Sequence, residues 1–395
     1  MNLMIYPDSE RLWTLLFTNT PEPEDVLRWT SQKFVFSESI PVVLQQVHGG
    51  PCGVLAPVQA FIVKELLFGV GTVVSSPDTL KTVSPADMQD ILLGVLIGIM
   101  SKALLTVDAP LLFVRLVADR KFEIVKDFTI AEMTVLDYLA SVVVSRGIET
   151  VQADMDDIEN PFIGRFGHCS QEVLNLMLFG RATSNVFDLE QPMGDTGLIL
   201  RGVPADVPIE VGLLSELEAL RYVTVGSKFK HPVYPIWIIG TTTHYTVLFG
   251  FDPTATELEA VDPVRALVSS RMAPLQFDDG LMMADRLEEL VSSLGLSDHV
   301  ASARATVVQE GIVLLDDVIR WAGPILISDP SFMTPQTRKP AERLDLFLIN
   351  TQIPQELFRV SVSKTGVESP TDLGGNLGAI LKTRWPRAIV SVTPF

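Results

Sequence analysis

The sequence predicts an α+β fold in which a buried helix carries a cysteine and packs on a mostly antiparallel sheet that carries a histidine. The segment Gly53–Phe68, directly after Cys52, is mostly apolar, and a helix with so few polar residues belongs in a core. Two β-rich runs, Ile236–Ile239 and Tyr245–Phe251, are joined by Gly-Thr-Thr-Thr, which is typical of a hairpin. Further strand patterns near the C-terminus supply the rest of the sheet.

The other elements follow in order, with polar, glycine or proline breaks between them. Ser84 and Pro85 suit the N-cap and first position of a helix, and Gly180 suits a helix end. Helices are predicted at Glu22–Phe36, Pro85–Leu105, Ala131–Arg146, Gln171–Phe179 and Val211–Leu220. Strands are predicted at Leu111–Val117, Phe122–Phe128, Tyr222–Val225, Leu344–Asn350 and Leu357–Val362, and the runs Ala379–Lys382 and Ala388–Val392 close the chain.

Composition narrows the classes of partner. The chain has 395 residues, and 48 acidic residues against 30 basic ones give a net charge of −18. This charge argues against nucleic-acid binding and suits a partner with a basic face. The most apolar run, Ile91–Met100, has about half the length that a bilayer span needs, so no membrane association is predicted.

The cysteine count and the N-terminus indicate the compartment. Two cysteines cannot form a disulfide framework, and the N-terminus lacks the basic and apolar regions of a signal peptide. The expected location is therefore the cytoplasm, the nucleus or both. The sequence contains no phosphate loop, calcium loop or set of zinc ligands, so neither a cofactor nor a metal is predicted.

The stretch Gln46-Val-His-Gly-Gly-Pro-Cys52 has the features of a cysteine-nucleophile site. Cys52 would begin the buried helix, where unpaired backbone N–H groups and the helix dipole favour a thiolate. The two glycines and the proline form a tight turn that lets backbone approach a substrate closely. Gln46 lies six residues before Cys52, as in papain-like proteases, and its amide could donate to an oxyanion.

The second cysteine is the alternative nucleophile. Cys169 also precedes a predicted helix, but Ile163 occupies the position six residues before it, and no glycine-proline turn leads to it. We therefore favour Cys52, while a buried structural cysteine is the ordinary interpretation of either one.

A nucleophilic cysteine needs a base, and His244 has the best setting among the five histidines. It would open the second strand of the hairpin, at the rim of the sheet, where it could face the start of the cysteine helix. The others are less suitable: His48 lies in the cysteine loop, and the rest are His168, His231 and His299. Asp252 and Asp262 are open candidates for a residue that orients His244.

Several blocks of the chain, in the same order and spanning roughly Trp29 to Trp385, carry a family resemblance. They are Gln46 with Gly49-Gly50-Pro51-Cys52-Gly-Val-Leu-Ala-Pro-Val-Gln59, the segments Cys169–Asp188 and Tyr222–Ser227, the hairpin Pro235–Phe249, and Ile380–Pro386. These blocks resemble the MINDY family of deubiquitinating enzymes, specifically the branch of its third and fourth paralogues, in which the last block resembles a closing strand.

The resemblance implies a papain-like thiol hydrolase that cleaves isopeptide bonds in ubiquitin and polyubiquitin chains. It assigns Cys52 as nucleophile, His244 as general base and Gln46 as an oxyanion-hole residue. It also implies a preference for chains linked through the lysine at position forty-eight of ubiquitin. The whole chain, 1–395, would then be a single catalytic domain with a loop and helix excursion around 254–325, where Asp, Glu, Ser and Met become frequent.

Two other classes of function share parts of this pattern. A transglutaminase or amine acetyltransferase also places a cysteine on a helix and a histidine on a strand. A catalytically silent ubiquitin-binding scaffold is the other alternative, although the intact Gln46, Cys52 and His244 argue against it.

Overall fold

The computed structural model describes residues 4–18, 20–71, 74–118, 120–126, 129–252, 263–278, 280–328, 343–364, 376–386 and 388–395. The chain forms two compact units. The larger unit comprises Met1–Thr256 and Arg343–Phe395, and the smaller unit is Glu257–Glu342. The excursion predicted around 254–325 overlaps the smaller unit, and one catalytic domain over the whole chain stays a prediction.

Helices and strands are mixed along the chain. The helices in the described residues are α1 (Ser9–Leu16), α2 (Pro23–Ser31), α3 (Cys52–Phe68), α4 (Pro85–Ala103), α5 (Val135–Arg146), α6 (Ile148–Asp154), α7 (Gln171–Phe179), α8 (Glu216–Ala219), α9 (Ser227–Lys230), α10 (Pro263–Met272), α11 (Leu287–Ser293), α12 (Val300–Val307), α13 (Leu315–Ser328) and α14 (Leu377–Arg384). The strands there are β1 (Phe113–Ala118), β2 (Lys121–Val125), β3 (Glu190–Pro192), β4 (Ile199–Arg201), β5 (Gly212–Ser215), β6 (Ile236–Gly240), β7 (Tyr245–Gly250), β8 (Gln276–Asp278), β9 (Leu281–Met283), β10 (Val308–Gln309), β11 (Ile312–Leu314), β12 (Arg343–Ile349), β13 (Leu357–Ser363) and β14 (Ile389–Pro394).

The largest sheet within these residues has six strands in the order β14-β13-β12-β7-β6-β5. All neighbouring pairs are antiparallel except β5 and β6, which run parallel. The strands β6 and β12 are largely buried, which matches their apolar sequences. Thus the mostly antiparallel sheet that the sequence predicts is confirmed.

The helix α3 lies against this sheet and is the centre of the larger unit. Every residue from Cys52 to Val63 is buried, and the helix contacts β6 and β7 on one side and α4 and α7 on others. Because apolar side chains surround α3, it has no polar face to present to water. The predicted packing of the cysteine helix on the histidine strand is confirmed, and the fold is α+β.

The smaller unit has a core of its own. Its helices α10 to α13 pack around buried side chains that include Val268, Met272, Leu290 and Val318. Its strands form a small sheet in the order β10-β11-β9-β8. The unit therefore has both the helices and the strands of a small compact fold, where the sequence predicts only loop and helix.

Two predictions between residues 211 and 225 are wrong. Val211–Leu220, predicted as a helix, contains β5 and only then the short α8, because Gly212–Ser215 pairs in parallel with β6. Tyr222–Val225, predicted as a strand, is irregular. Its N–H groups are taken by local partners: Tyr222 donates to the Leu217 carbonyl, and Val225 donates to the Glu218 carboxylate.

The prediction of a closing strand at Ile380–Pro386 is also wrong. This segment lies in α14, whose buried residues Leu377, Ile380 and Leu381 follow helical spacing. The Asn376 side chain accepts from the Ala379 N–H and caps the helix. The closing strand is instead β14, which pairs with β13.

Two properties of the described residues bear on other functions. None of their helices has both the length and the apolar character that crossing a bilayer requires. No group of three or more His, Cys, Asp or Glu side chains in these ranges is placed to hold a metal ion.

Candidate active site

Cys52 begins α3 and is almost fully buried, with 3% of its surface exposed. Its thiol donates to the Gly50 carbonyl, with 3.7 Å between sulfur and oxygen. Gly50 has φ of 118°, and a Cβ there would lie 2.6 Å from the Gly167 carbonyl oxygen. Only glycine fits this position, because any other side chain would be strained and would overlap neighbouring backbone.

The surroundings of Cys52 favour the neutral thiol in this structure. Burial raises the pKa of Cys52 to about 11, although backbone hydrogen bonds involving Tyr245, Cys52 and Gly53 act to lower it. The helix N-terminus predicted to favour a thiolate is present, but the loss of water around the sulfur outweighs it. The resting nucleophile is therefore protonated at neutral pH.

His244 directly precedes β7 and is fixed by a tight turn. Its N–H donates to the Thr241 hydroxyl at 3.1 Å, and its carbonyl accepts from the Thr241 N–H at 2.9 Å. The next residue, Tyr245, has its backbone hydrogen-bonded to the Cys52 sulfur. The predicted base therefore directly precedes, in the chain, a residue whose backbone contacts the predicted nucleophile.

The imidazole of His244 has one partnered nitrogen and one without a partner. Its Nε2 lies 2.9 Å from Oδ1 of Asn350. The same oxygen also accepts from the Gln352 backbone N–H at 2.9 Å. Because a backbone N–H can only donate, this atom is the amide oxygen, and Nε2 must carry the proton.

The second nitrogen of His244, Nδ1, is buried and has no hydrogen-bond partner within the described part of the chain. With the proton on Nε2, Nδ1 keeps its lone pair and can accept a proton. Burial lowers the pKa of His244, while the Asn350 hydrogen bond acts to raise it. The ring is therefore neutral at pH 7 and suited to act as a base.

Sequence reasoning missed Asn350. It follows β12, which pairs antiparallel with β7 through Ile349 and Val247, so the end of β12 lies beside the start of β7. Of the two aspartates proposed to orient His244, Asp252 lies beyond the far end of β7, and Asp262 lies outside the described residues. A polar residue at the end of the predicted strand Leu344–Asn350 was the available signal, but only the strand order connects it with His244.

Gln46 is buried in the loop that leads to Cys52, with 5% of its surface exposed. Its Oε1 accepts from the Thr351 hydroxyl at 3.0 Å, and its backbone N–H donates to the Thr351 carbonyl at 2.8 Å. Its Nε2 donates to the His48 carbonyl at 2.6 Å. In this structure the amide predicted to serve an oxyanion is thus hydrogen-bonded within its own loop.

Cys169 packs behind the cysteine helix. A Cβ on Gly53 would lie only 1.8 Å from the Cys169 sulfur, so this thiol fills the space beside the second residue of α3. Burial raises the pKa of Cys169 well above its ordinary value. In the described fold Cys169 packs against α3, which agrees with its interpretation as a buried structural cysteine.

The other histidines lie in different settings. His48 is exposed in the cysteine loop, and His168 is half-buried. His231 has Nδ1 2.9 Å from the Ser227 carbonyl oxygen, and His299 belongs to the smaller unit. Among the described histidines, His244 has one ring nitrogen hydrogen-bonded to a side chain, while its other ring nitrogen is buried and unpaired.

The sequence is similar to a known family over most of its length. Residues 13–114 and 121–262 match the family described as deubiquitinating enzyme MINDY-3/4, conserved domain. The chain is 30% identical over 376 residues to ubiquitin carboxyl-terminal hydrolase MINDY-3 of Xenopus tropicalis, covering 82% of this chain and 81% of that protein. It is 31% identical over 322 residues to MINDY-3 of Homo sapiens, covering 68% of this chain and 70% of that protein.

A second member of the family also matches. The chain is 33% identical over 259 residues to probable ubiquitin carboxyl-terminal hydrolase MINDY-4 of Xenopus tropicalis, covering 56% of this chain and 33% of that protein. No solved structure is significantly similar to the chain. The family match extends over both the cysteine loop and the histidine hairpin, and the chain belongs to the MINDY-3/4 family of deubiquitinating enzymes.

Proposed function

We propose that this protein is a cysteine isopeptidase that hydrolyses ubiquitin chains, with Cys52 as nucleophile and His244 as general base. The observation that carries the proposal is the state of the His244 ring. Asn350 holds Nε2, and the buried Nδ1 is left as a proton acceptor beside the residue that bonds the Cys52 sulfur. Asn350 acts as the residue that orients the base. This cysteine, histidine and amide arrangement is the papain-like one.

The reaction begins when His244 Nδ1 takes the proton of the Cys52 thiol. The thiolate attacks the carbonyl carbon of the C-terminal glycine of ubiquitin, and a carbon–sulfur bond forms. The tetrahedral intermediate then breaks its carbon–nitrogen bond, and His244 gives its proton to the departing lysine amine. Water, deprotonated by His244, hydrolyses the thioester and restores the thiol. No step needs a cofactor.

The oxyanion is stabilised by the Cys52 backbone N–H and the Gln46 amide. At rest, the Gln46 amide donates to the His48 carbonyl, and the Cys52 thiol donates to the Gly50 carbonyl. Nε2 of Gln46 carries two hydrogens, so its second N–H serves the oxyanion, and only the thiol bond to Gly50 is exchanged when the Cys52 proton moves to His244. Thr351 keeps the other end of the Gln46 amide in place during this exchange.

Three further parts of the proposal rest on the family and the sequence. The substrate is polyubiquitin linked through the lysine at position forty-eight of ubiquitin, the whole chain acts as one catalytic domain, and the protein works in the cytoplasm, the nucleus or both. The net charge of −18 supports a substrate with a basic recognition face.

The test is a ubiquitin probe with a C-terminal alkyne, followed by mass mapping of the adduct. The adduct should form on Cys52, and Cys52→Ala should abolish both the adduct and chain cleavage. Cys169→Ala is the matched control and should keep both. An adduct on Cys169, or cleavage by the Cys52→Ala protein, would overturn the assignment.

A panel of purified chains and a labelled amine complete the test. One linkage should be cleaved fastest, and equal cleavage of all linkages would remove the linkage proposal alone. Incorporation of the labelled amine in place of hydrolysis would indicate a transferase instead. Gln46→Ala should lower kcat on the order of 10²–10³, as expected for one oxyanion donor, while Cys52 alkylation by a small reagent is unchanged.

A further inference from the structure

The ring of Tyr245, the first residue of β7, lies between two glycines. Tyr245 pairs with Gly240 across the hairpin, and a Cβ on Gly240 would lie 3.0 Å from Cε1 of the ring. At the opposite edge of the ring, Cε2 would lie 3.8 Å from a Cβ on Gly53. A glycine within a strand marks a place where another group can approach closely. The ring therefore extends from the hairpin to the start of α3.

The same residue is connected to both proposed reacting groups. His244 precedes Tyr245 in the chain, and the Tyr245 backbone is hydrogen-bonded to the Cys52 sulfur. Gly53, which meets the ring, directly follows Cys52 in the first turn of α3. Because consecutive Cα atoms are about 3.8 Å apart, a shift of Tyr245 relative to α3 must move His244 relative to Cys52.

The hydroxyl of Tyr245 supplies no charge at this place. Burial raises the pKa of Tyr245 well above its ordinary value, and the nearby sulfurs of Cys169 and Cys52 act in the same direction. The phenol therefore stays neutral at pH 7 and is not a second base. What the side chain contributes is the volume of its ring between the hairpin and the helix.

We propose that Tyr245 is a positioning residue whose ring sets the separation between His244 and Cys52. This inference rests on the proposed function. Proton transfer needs the two heavy atoms within about 2.6–3.2 Å, and a misplacement of about 1 Å lowers a rate on the order of 10². The ring acts between the two reacting groups of the enzyme, so it governs turnover and not the binding of ubiquitin.

The experiment measures release of aminomethylcoumarin from ubiquitin by the full chain. Tyr245→Ala should lower kcat roughly 10²-fold with KM little changed, and Tyr245→Phe, which keeps the ring, should restore most of kcat. Iodoacetamide at pH 10, with mass mapping of the product, should alkylate Cys52 in Tyr245→Ala at least as fast as in wild type. At that pH hydroxide takes the thiol proton, so the nucleophile no longer depends on His244.

Tyr234→Ala is the matched control. The Tyr234 ring stacks on Phe68, the last residue of α3, with 5.2 Å between the ring centroids. This change removes an identical ring from the other end of the same helix, so thermal unfolding should show lower stability while kcat stays unchanged. An equal loss of kcat in Tyr234→Ala would mean that Tyr245→Ala acts through general destabilisation, and the positioning role would be overturned.

Gly240→Ala tests the position of the ring without removing it. The new Cβ displaces the ring by a few tenths of an ångström, so kcat should fall roughly 3- to 10-fold. In a Tyr245→Ala background the same change should cost nothing further, because the ring that it displaces is absent.

Four outcomes would overturn the positioning role and leave the proposed function standing. They are additive losses in the double variant, wild-type kcat in Tyr245→Ala, no recovery in Tyr245→Phe, and an effect confined to KM. Failure of wild type to cleave ubiquitin, with no adduct of the alkyne probe on Cys52, would instead overturn the proposed function.

Discussion

At the scale of single residues, two consecutive side chains hold the two groups that are proposed to act with Cys52. Asn350 holds the His244 ring, and Thr351 holds the Gln46 amide, each through a hydrogen bond of about 3 Å. Neither reaches a substrate carbonyl in the proposed reaction. Their contribution is to position two other groups, so their loss should reduce turnover more than substrate binding.

The first prediction concerns Asn350→Ala. Removing the amide frees the His244 ring to rotate and to change tautomer, so kcat should fall on the order of 10² with KM little changed. Steady-state cleavage of a ubiquitin substrate measures this. Asn376→Ala is the matched control, because that amide caps α14. It should reduce stability by about 1 kcal/mol and leave kcat unchanged. Wild-type turnover in Asn350→Ala would show that His244 needs no partner.

The second prediction follows from the pKa of Cys52, which burial raises to about 11. A raised thiol pKa means that the reactive thiolate is scarce at pH 7 and grows about tenfold with each pH unit. Alkylation of the unliganded protein by iodoacetamide should therefore rise steadily from pH 7 to pH 10. Measuring this in a Cys169→Ala background isolates Cys52. A rate that levels off near pH 7 would reveal a resting ion pair and contradict the prediction.

These residues are not equally predictable from the sequence, and the reason is physical. Gln46 and Cys52 lie in one short stretch, so their spacing alone indicates how they meet. His244 can be inferred from its position at the start of the second strand of the hairpin. Asn350 is 106 residues from His244, and only the pairing of β12 with β7 brings them together. Strand order depends on packing over the whole sheet, and local patterns do not contain it.

At the scale of elements, the packing of the start of α3 depends on Gly53, which lies against Cys169. Gly53 is the second residue of the helix, and the Cys169 sulfur occupies the place of its missing side chain. This close approach places the start of α3 next to the segment that leads into α7.

The third prediction is that Gly53→Ala destabilises the protein, by roughly 1–3 kcal/mol, because the new Cβ overlaps the Cys169 sulfur. It should also slow adduct formation at Cys52. Gly94→Ala is the matched control: Gly94 is in α4, and a Cβ there meets nothing within 4 Å. That change should stabilise by about 0.5–1 kcal/mol. Thermal and denaturant unfolding measure both variants.

A second substitution sharpens this test. Cys169→Gly removes the overlapping sulfur, so the double variant Gly53→Ala with Cys169→Gly should recover part of the stability that Gly53→Ala loses. If Gly53→Ala is as stable as wild type, the close contact does not govern the position of α3.

Sequence patterns identify long elements better than short ones. The buried helices α3, α4, α5 and α7 could be predicted because each keeps a largely apolar sequence over several turns. The four residues of β5 could not, since Gly212–Ser215 becomes a strand only by pairing with β6. The long apolar run around it fits a helix equally well, and tertiary pairing decides between the two.

At the scale of the whole molecule, the smaller unit is inserted in the sequence between two strands of the central sheet. The chain leaves the sheet at the end of β7 and returns at the start of β12, and these strands are neighbours that pair Gly250 with Leu346. Neighbouring antiparallel strands can be joined by a loop of a few residues. The sheet therefore has no geometric need for the residues between them.

The fourth prediction is that replacing Glu257–Glu342 with a linker of about four residues leaves the larger unit folded, because each unit has its own core. Circular dichroism and cooperative thermal unfolding would show this, and Cys52 should still react with the ubiquitin alkyne probe. Retained folding without any adduct would assign the smaller unit a part in the reaction. Loss of folding would contradict the independence of the two cores.

Because of the position of this insertion, a single chain break within it divides the enzyme into two complementary fragments. A chain break between Glu257 and Glu342 leaves Cys52 and His244 on one piece, with the first three strands of the six-stranded sheet in sequence order. The other piece keeps Asn350 and the last three strands. Each piece carries an unpaired strand edge that the other completes. Thiol labelling by the probe would then occur only when the pieces meet, so the split protein would report their association directly.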